Sequence, residues 1–457
     1  MNILRQTLSK ILLSCVLLIV SVAGASPAFS QSLLRDTEIE ETLRVFTDPL
    51  LKAAHLSTSS VNLYLVNDNS LNAFVTGGQN IFIHTGLILE AETPNQLKGV
   101  IAHETGHIAG GHLARRDHSN RSAYGSMLIA AGLGIAAMLA GESAAGAAIL
   151  MGSKQFGTLN VLANSRVNEA SADQAAAKYL EATGQSAQGL VDFFEKFRYQ
   201  EVLSQARRYP YFRGHPLSSE RIDKLREVIS ESKFANVKET EENHKRLAMA
   251  QAKIIGFIDA PQTVFNKYPP GDNSQEARYA RSIALYRGAD LKGAILSIDS
   301  LIREEPKNPY FYELKGQILF ESGKGAQAII PLRQAHKLKP DAPLIEIALA
   351  QALLANETPE NVDLAIRQLK SALRKENNNS FAWYTLSRAY ELKNMPALAR
   401  YAIAEQAFNS HNYERARGFA TRAQQEGLTP YPPQARRASD IIIISATQIA
   451  SHKGRRR

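Results

Sequence analysis

The sequence predicts a mainly α-helical chain with a small β-sheet, in which an α+β unit is followed by an α-solenoid. Three observations carry this. Two short alternating segments, 61-VNLYLVND-68 and 80-NIFIHTGLI-88, read as half-buried strands. Capped apolar-periodic stretches follow them and read as helices. From residue 274 onward a pattern of small residues and prolines returns every 34 residues. At 457 residues the chain is too long for one core, which implies two or three domains.

The first 30 residues read as an export signal. Arg5 and Lys10 form a basic start, 11-ILLSCVLLIVSVAGA-25 an apolar run, and Ala28-Phe29-Ser30 a small-residue cleavage site, so cleavage is expected near Ser30/Gln31. The run is shorter than the roughly 20 residues that span a bilayer. Too few apolar residues precede Cys15 for a lipoprotein signal. Cys15 is the single cysteine, so a cleaved chain forms no disulfide, and an exported cysteine-free chain fits a bacterial periplasm. The net charge of +9 is concentrated at the ends: Arg5 and Lys10 supply two charges and 452-HKGRRR-457 four, leaving about +3 for the body. That balance argues against a nucleic-acid partner.

Residues 31–60 read as an amphipathic helix with Ile39, Leu43, Val45, Leu50 and Leu51 on its apolar face. The link 72-NAFVTGGQ-79 carries a Gly-Gly turn between the two strands. Thr93-Pro94 is a helix start, with threonine as cap and proline at the first helical position. The helix should run to Ala109, bury Leu97, Val100, Ile101 and Ile108, and stop at Gly110-Gly111. The Gly/Ala-rich stretch 127–152 reads as two small core helices, with a lid or a peripheral membrane contact as the alternative. A further helix is expected from about Asn164 to Ala182. Polar residues from Glu239 to His244 mark a linker.

In the second half, Ala294 and Ala328, and Pro306 and Pro340, stand 34 residues apart. Tyr312, Gly316, Ala328, Leu332, Ala335 and Pro340 follow the tetratricopeptide pattern. Trp383, Leu386, Ser387, Tyr390 and Ala399 repeat it. Ala365 and Ala372 repeat it after a three-residue insertion, and Ala416, Ala420 and Ala423 suggest a last, degraded unit. One helical hairpin cannot bury its own apolar face, so such units stack. The expected division is a signal at 1–30, a first domain at 31–238, a linker and first solenoid helices at 239–273, the repeats at 274–440 and a basic tail at 441–457.

The chemistry concentrates in 101-IAHETGHIAGGHL-113. His103 and His107, four apart on a helix, lie on one face one turn apart and can reach one zinc ion. Glu104 is placed beside such an ion, where it can take a proton from bound water. A third ligand is needed. The HExxHxxGxxH arrangement would require histidine at 113, which is Leu113, and His112 comes one residue early, just past the helix end. A glutamate on a second helix is the other common solution. Glu169 and Asp173, again four apart, fit it, with Asp173 free to hold the other ring nitrogen of a ligating histidine.

In this order and combination, 72-NAFVTGGQNIFIHTGLI-88, 103-HETGH-107, 169-EASAD-173 and 214-GHPLSSERI-222 resemble the HtpX and CAAX-prenyl-protease family of zinc metallopeptidases. With the export signal and the repeats, the chain is most similar to the periplasmic BepA-type branch, over about residues 40–450. The resemblance implies a gluzincin-type domain with one zinc per chain on His103, His107 and Glu169, and Glu104 as the base. It implies that His215 lies near the metal, as a regulatory ligand or a stabiliser of the oxyanion, and that Arg221 anchors the site. The strand near 72–83 would take up the substrate backbone by edge pairing. The transmembrane core of the HtpX and prenyl-protease branches is missing, which argues against an intramembrane or prenylated substrate. The implied function is degradation of misfolded or stalled outer-membrane proteins and help in their assembly, with the repeats docking on the assembly machinery. His215 and 127–152 are the candidate gates. The alternative is a non-enzymatic periplasmic chaperone or adaptor acting through the repeats. The complete set His103, Glu104, His107 and Glu169 argues against it.

Overall fold

The computed structural model describes residues 33–77, 79–112, 166–202, 211 and 215–454. The expected signal peptide and the apolar stretch 127–152 lie outside these residues. A four-stranded sheet carries the first domain, in the order β1-β2-β4-β3, with β1 at Leu33–Leu34, β2 at Asn62–Val66, β3 at Ala73–Thr76 and β4 at Asn80–His84. β2 and β4 run parallel, from Asn62↔Asn80 to Val66↔His84. β3 returns antiparallel on β4, from Ala73↔Ile83 to Thr76↔Asn80, and forms one edge of the sheet. The period of two puts Leu65, Ile81, Ile83 and Ala73 into the core. On the other face Tyr64, Phe82 and Phe74 stack across three strands, with centroids 4.8 and 5.0 Å apart.

Two sequence expectations change here. The link 72–79 contains the strand β3. The second strand stops at His84, and Thr85–Glu90 is a short helix, α2. A short apolar run without alternation does not distinguish strand from helix. The choice is made by packing: a Cβ on Gly86 would sit 2.3 Å from the Asn69 carbonyl oxygen, so only glycine lets the chain turn in against that loop.

The first helix is shorter than 31–60. α1 spans Thr37–Ala53 after β1, capped by Asp36, whose side chain accepts from the Glu38 and Ile39 amides. Leu43, Leu50 and Leu51 are buried as expected. Val45 faces solvent and Phe46 takes the core position beside it. α3 runs from Pro94 to Ala109, with the Thr93 side chain accepting from the Gln96 amide. The described part of the next helix, α4, covers 166–182, and α5 (Gln188–Val202) and α6 (Ser219–Glu231) follow. α1, α3, α4, α5 and the sheet share one core that includes Phe46, Ile83, Val100, Leu180 and Phe193.

The polar residues 239–244 are no open linker. Glu239 forms a buried ion pair with Lys98 at 2.8 Å, and Thr240 caps a helix, α7, at Glu241–Ile258. α7 sends Leu247, Ala250 and Ile254 into the first core, and Met249, Ala252 and Ile255 into the next one. Beyond the short helix Pro261–Lys267, antiparallel hairpins follow: Gln275–Arg287 with Leu291–Glu304, Pro309–Glu321 with Gly325–Leu338, Pro343–Leu354 with Pro359–Lys375, Ser380–Leu392 with Pro396–Asn409, and Tyr413–Gln425 with Pro432–Gly454. Ala294, Ala328, Ala365 and Ala399 occupy matching, fully buried places in their second helices. Gly316 lies so near Leu332 that a Cβ would fall 2.4 Å from the leucine Cγ. The final helix runs through the segment expected as a tail at 441–457, with Ile441 and Ser445 buried.

The solenoid curves back onto α1. Glu38 accepts from the Tyr279 hydroxyl at 2.8 Å, and Glu41 accepts from Tyr310 at 2.7 Å and pairs with Lys339. Thr37 donates to Glu313 at 2.5 Å, and Arg35 reaches Glu376 at 2.8 Å. Lys253 of α7 is buried among them, 2.8 Å from Asp36 and 3.4 Å from Glu38.

Candidate metal centre

α3 and α4 cross where both are thinnest. A Cβ on Gly106 would lie 2.9 Å from the Ala172 carbonyl oxygen. This close approach brings the two i,i+4 pairs, His103/His107 and Glu169/Asp173, face to face.

His103 Nε2 and His107 Nε2 are 3.1 Å apart. His103 Nε2 is 3.3 Å from Glu169 Oε2, and His107 Nε2 is 3.4 Å from Glu169 Oε1. His215 Nδ1 joins them from the segment before α6, 3.2 Å from His103 Nε2 and 3.1 Å from Glu169 Oε2. Donors about 2.0–2.1 Å from one tetrahedral zinc ion stand about 3.3–3.4 Å from each other. The spacings therefore match neighbouring vertices around a common cation, and these four residues form a cluster able to hold one.

The supporting groups reinforce this. His103 Nδ1 lies 2.9 Å from Asp173 Oδ1. Asp173 in turn receives a two-pronged contact from Arg221, with Nε to Oδ2 at 2.6 Å and Nη2 to Oδ1 at 2.8 Å. Arg221 also donates to the Pro216 carbonyl at 2.7 Å and lies 3.3 Å from Glu169. One guanidinium thus braces α4 and the His215 segment together. The Ser218 cap of α6, which accepts from the Arg221 amide, sets its position.

The electrostatics suit a cation. Burial alone would raise the carboxyl of Glu169, yet His103 and His215 overcome it and hold it well below the ordinary range. Asp173 behaves likewise through Arg221 and His103. Burial, then the neighbouring His103, push His107 down to about 2, so its ring is neutral, as a ligand must be. Burial opposes charge on His103, but Asp173 and Glu169 lift it to about 9. Without a metal such a ring is cationic at neutral pH, so a cation would displace its Nε2 proton while Asp173 keeps the one on Nδ1. Burial raises the carboxyl of Glu104, which is fully enclosed. Neither of its oxygens has a hydrogen-bond partner among the described residues, and His215 Nε2 lies 3.4 Å from Oε1. A buried carboxylate left this way beside four donors fits a group that handles a proton of water or substrate.

Two neighbours were not singled out in the sequence. The Tyr211 ring stacks on His215 with centroids 4.7 Å apart. No motif marks Tyr211, because its segment has no periodic pattern. His112, set aside as lying beyond the helix, is buried and in contact with His107 through the two Nδ1 atoms at 2.9 Å.

An HExxH helix facing a glutamate-bearing second helix, below a small mixed sheet, defines a zinc metalloendopeptidase. Residues 34–229 match the model of Peptidase family M48. The chain is 25% identical over 406 residues to the beta-barrel assembly-enhancing protease of Escherichia coli (strain K12), covering 86% of this chain and 77% of that one. It is 30% identical over 214 residues to the metalloprotease LoiP of the same organism, covering 46% of this chain and 75% of that one, and 29% identical over 180 residues to the metalloprotease YcaL, covering 39% and 66%. The chain belongs to peptidase family M48.

Proposed function

We propose that this M48 peptidase is exported to the periplasm, with its signal peptide cut near Ser30/Gln31, and cleaves outer-membrane proteins that have misfolded or stalled during assembly. The observation that carries this reading is the likeness to a beta-barrel assembly-enhancing protease along 86% of the chain, through the peptidase domain and the solenoid alike. The repeats would dock on substrate or on the assembly machinery. No helix among the described residues is long and apolar enough to cross a membrane.

In this reading His103, His107 and Glu169 hold zinc, one per chain. When bound, the metal acidifies water and polarises the scissile carbonyl. Glu104 would take a proton from the attacking water and return it to the leaving amine. Asp173 and Arg221 keep His103 in the tautomer that ligates. The edge strand β3, paired on one side among the described residues, would take up an extended substrate as a further strand. Glu104→Gln should abolish cleavage of casein while zinc content stays at one per chain. Cleavage that survives the substitution would sink the peptidase assignment of this site.

His215 has a second part to play. Its Nδ1 stands within 3.1–3.2 Å of two of the ligand atoms, where attacking water would have to enter. The geometry supports a closed form that His215 must leave before cleavage starts. His215→Ala should then raise casein cleavage. A fall would instead favour a role in stabilising the oxyanion, and no change in cleavage or zinc content would remove the gate.

A further inference from the structure

His112 falls one residue short of the spacing that would make it a ligand on its own. The structure gives it a different place. α3 ends at Gly110, Gly111 takes a left-handed φ of +61°, and the chain turns back so that the buried His112 ring faces the helix it has just left. His112 Nδ1 reaches His107 Nδ1 at 2.9 Å, with the rings nearly perpendicular at 81°. Gly110 makes the room: a Cβ there would lie 2.4 Å from His112 Nε2.

We propose that His112 is a positioning residue for the metal, accepting the Nδ1 proton of His107 and so fixing the tautomer and rotation that aim His107 Nε2 at the cluster. The reasoning rests on proton placement. A neutral imidazole carries one proton. His107 presents a lone pair at Nε2 only when that proton sits on Nδ1. A proton buried there needs an acceptor, and His112 Nδ1 supplies it. His112 must then carry its own proton on Nε2.

The two ligating histidines are consequently held by unlike acceptors. His103 leans on the Asp173 carboxylate, itself braced by Arg221, whereas His107 leans on a neutral ring. An anionic acceptor makes an imidazole the stronger donor to a metal. His107 is therefore the weaker of the two and depends more on correct orientation.

The inference rests on the zinc reading, and the test separates the two. The full chain is stripped of metal and titrated with zinc against a chromophoric chelator, as parent, His112→Asn, His112→Gln and His112→Ala, with the melting of each metal-free form recorded. Asparagine places an oxygen where Nδ1 stood, whereas glutamine places its amide further out. The expected result is zinc affinity near the parent's for His112→Asn. For His112→Gln and His112→Ala it should fall about 10–100-fold, the usual cost of losing a ligand's hydrogen-bond partner, without matching losses in metal-free melting. Equal affinity in the asparagine and glutamine variants overturns the proposal, whether both match the parent or both fall. A parent chain that binds no zinc removes the metal reading and the proposal with it.

Discussion

The approach of α3 to α4 at Gly106 sets the spacing of the whole cluster, so Gly106→Ala is the most searching small change. The new Cβ would lie 2.9 Å from the Ala172 carbonyl oxygen, 3.1 Å from Ala172 Cα and 3.2 Å from Ala175 Cβ. Favourable contact between such atoms begins near about 3.5 Å. The helices must therefore part by roughly 0.5 Å, about the whole tolerance of a preorganised site. Alanine is favoured over glycine inside a helix by about 0.8–1.0 kcal/mol. Overpacking costs about 1–3 kcal/mol. The fold should lose up to about 2 kcal/mol, a modest change. The metal should suffer more, because Glu169 and Asp173 both ride on the displaced helix. Zinc affinity should fall about 10–100-fold, the range for disturbed ligand support. Gly99→Ala is the control. Its Cβ would meet Leu190 Cβ at 2.8 Å, on α5, which carries no member of the cluster. It should destabilise the fold by a similar amount and leave zinc affinity near that of the parent. Chelator competition and denaturant unfolding on the same preparations give both numbers. If Gly106→Ala weakens zinc no more than Gly99→Ala does, the helix crossing does not set the site.

The joint between peptidase domain and solenoid yields two more predictions. Lys253→Met leaves Asp36 and Glu38 without their buried cation and should cost about 3–5 kcal/mol in denaturant unfolding; a loss under about 1 kcal/mol would show that the joint is held by apolar packing alone. Glu313 is lifted to about 7 by burial, which Lys253 opposes and Asp36 and Glu38 reinforce. A carboxyl raised by folding favours the fold while protonated, so this contribution is present in acid and is lost as pH climbs through about 7. Glu313→Gln keeps an acceptor for Thr37 and no charge, so its melting temperature should fall less than the parent's between pH 6 and 8; equal slopes would refute the assignment.

Periodic features were legible from residue types alone. The Thr93-Pro94 start, the Gly110 end and the i,i+4 histidines of α3 are local properties, and the structure has them at the expected residues. So is the 34-residue return of Ala294 and Ala328, and the three-residue insertion before Ala365 leaves that alanine as buried as the others. Misread features were those in which a contact distant in sequence decides. Thr85–Glu90 is apolar in a way that suits a strand, and the Asn69 backbone against Gly86 makes it a helix. Val45 is a different case, since Phe46 and not Val45 continues the helical spacing of Ile39, Leu43 and Leu50 and takes the core place. His112 lies past the helix end as expected, and the left-handed Gly111 turns the chain back so that its ring meets His107, a contact that spacing alone does not show.

The same contrast bears on what the solenoid is for. Polar composition at 239–244 suggests a linker. In the structure those residues open a helix whose opposite faces belong to different cores. Lys98, five residues before the cluster's first ligand His103 and buried on the same helix, is tied to Glu239 at the start of that joint. α1, which packs against the metal-bearing helix through the shared core, is at its other end held by Lys253, Tyr279, Tyr310 and Lys339. A partner that bends the solenoid would therefore pull on elements in contact with α3, since α7 joins the two cores directly. If the repeats dock a partner as proposed, docking and cleavage would act through these shared cores, and a bound substrate would be delivered to the site that His215 is proposed to close.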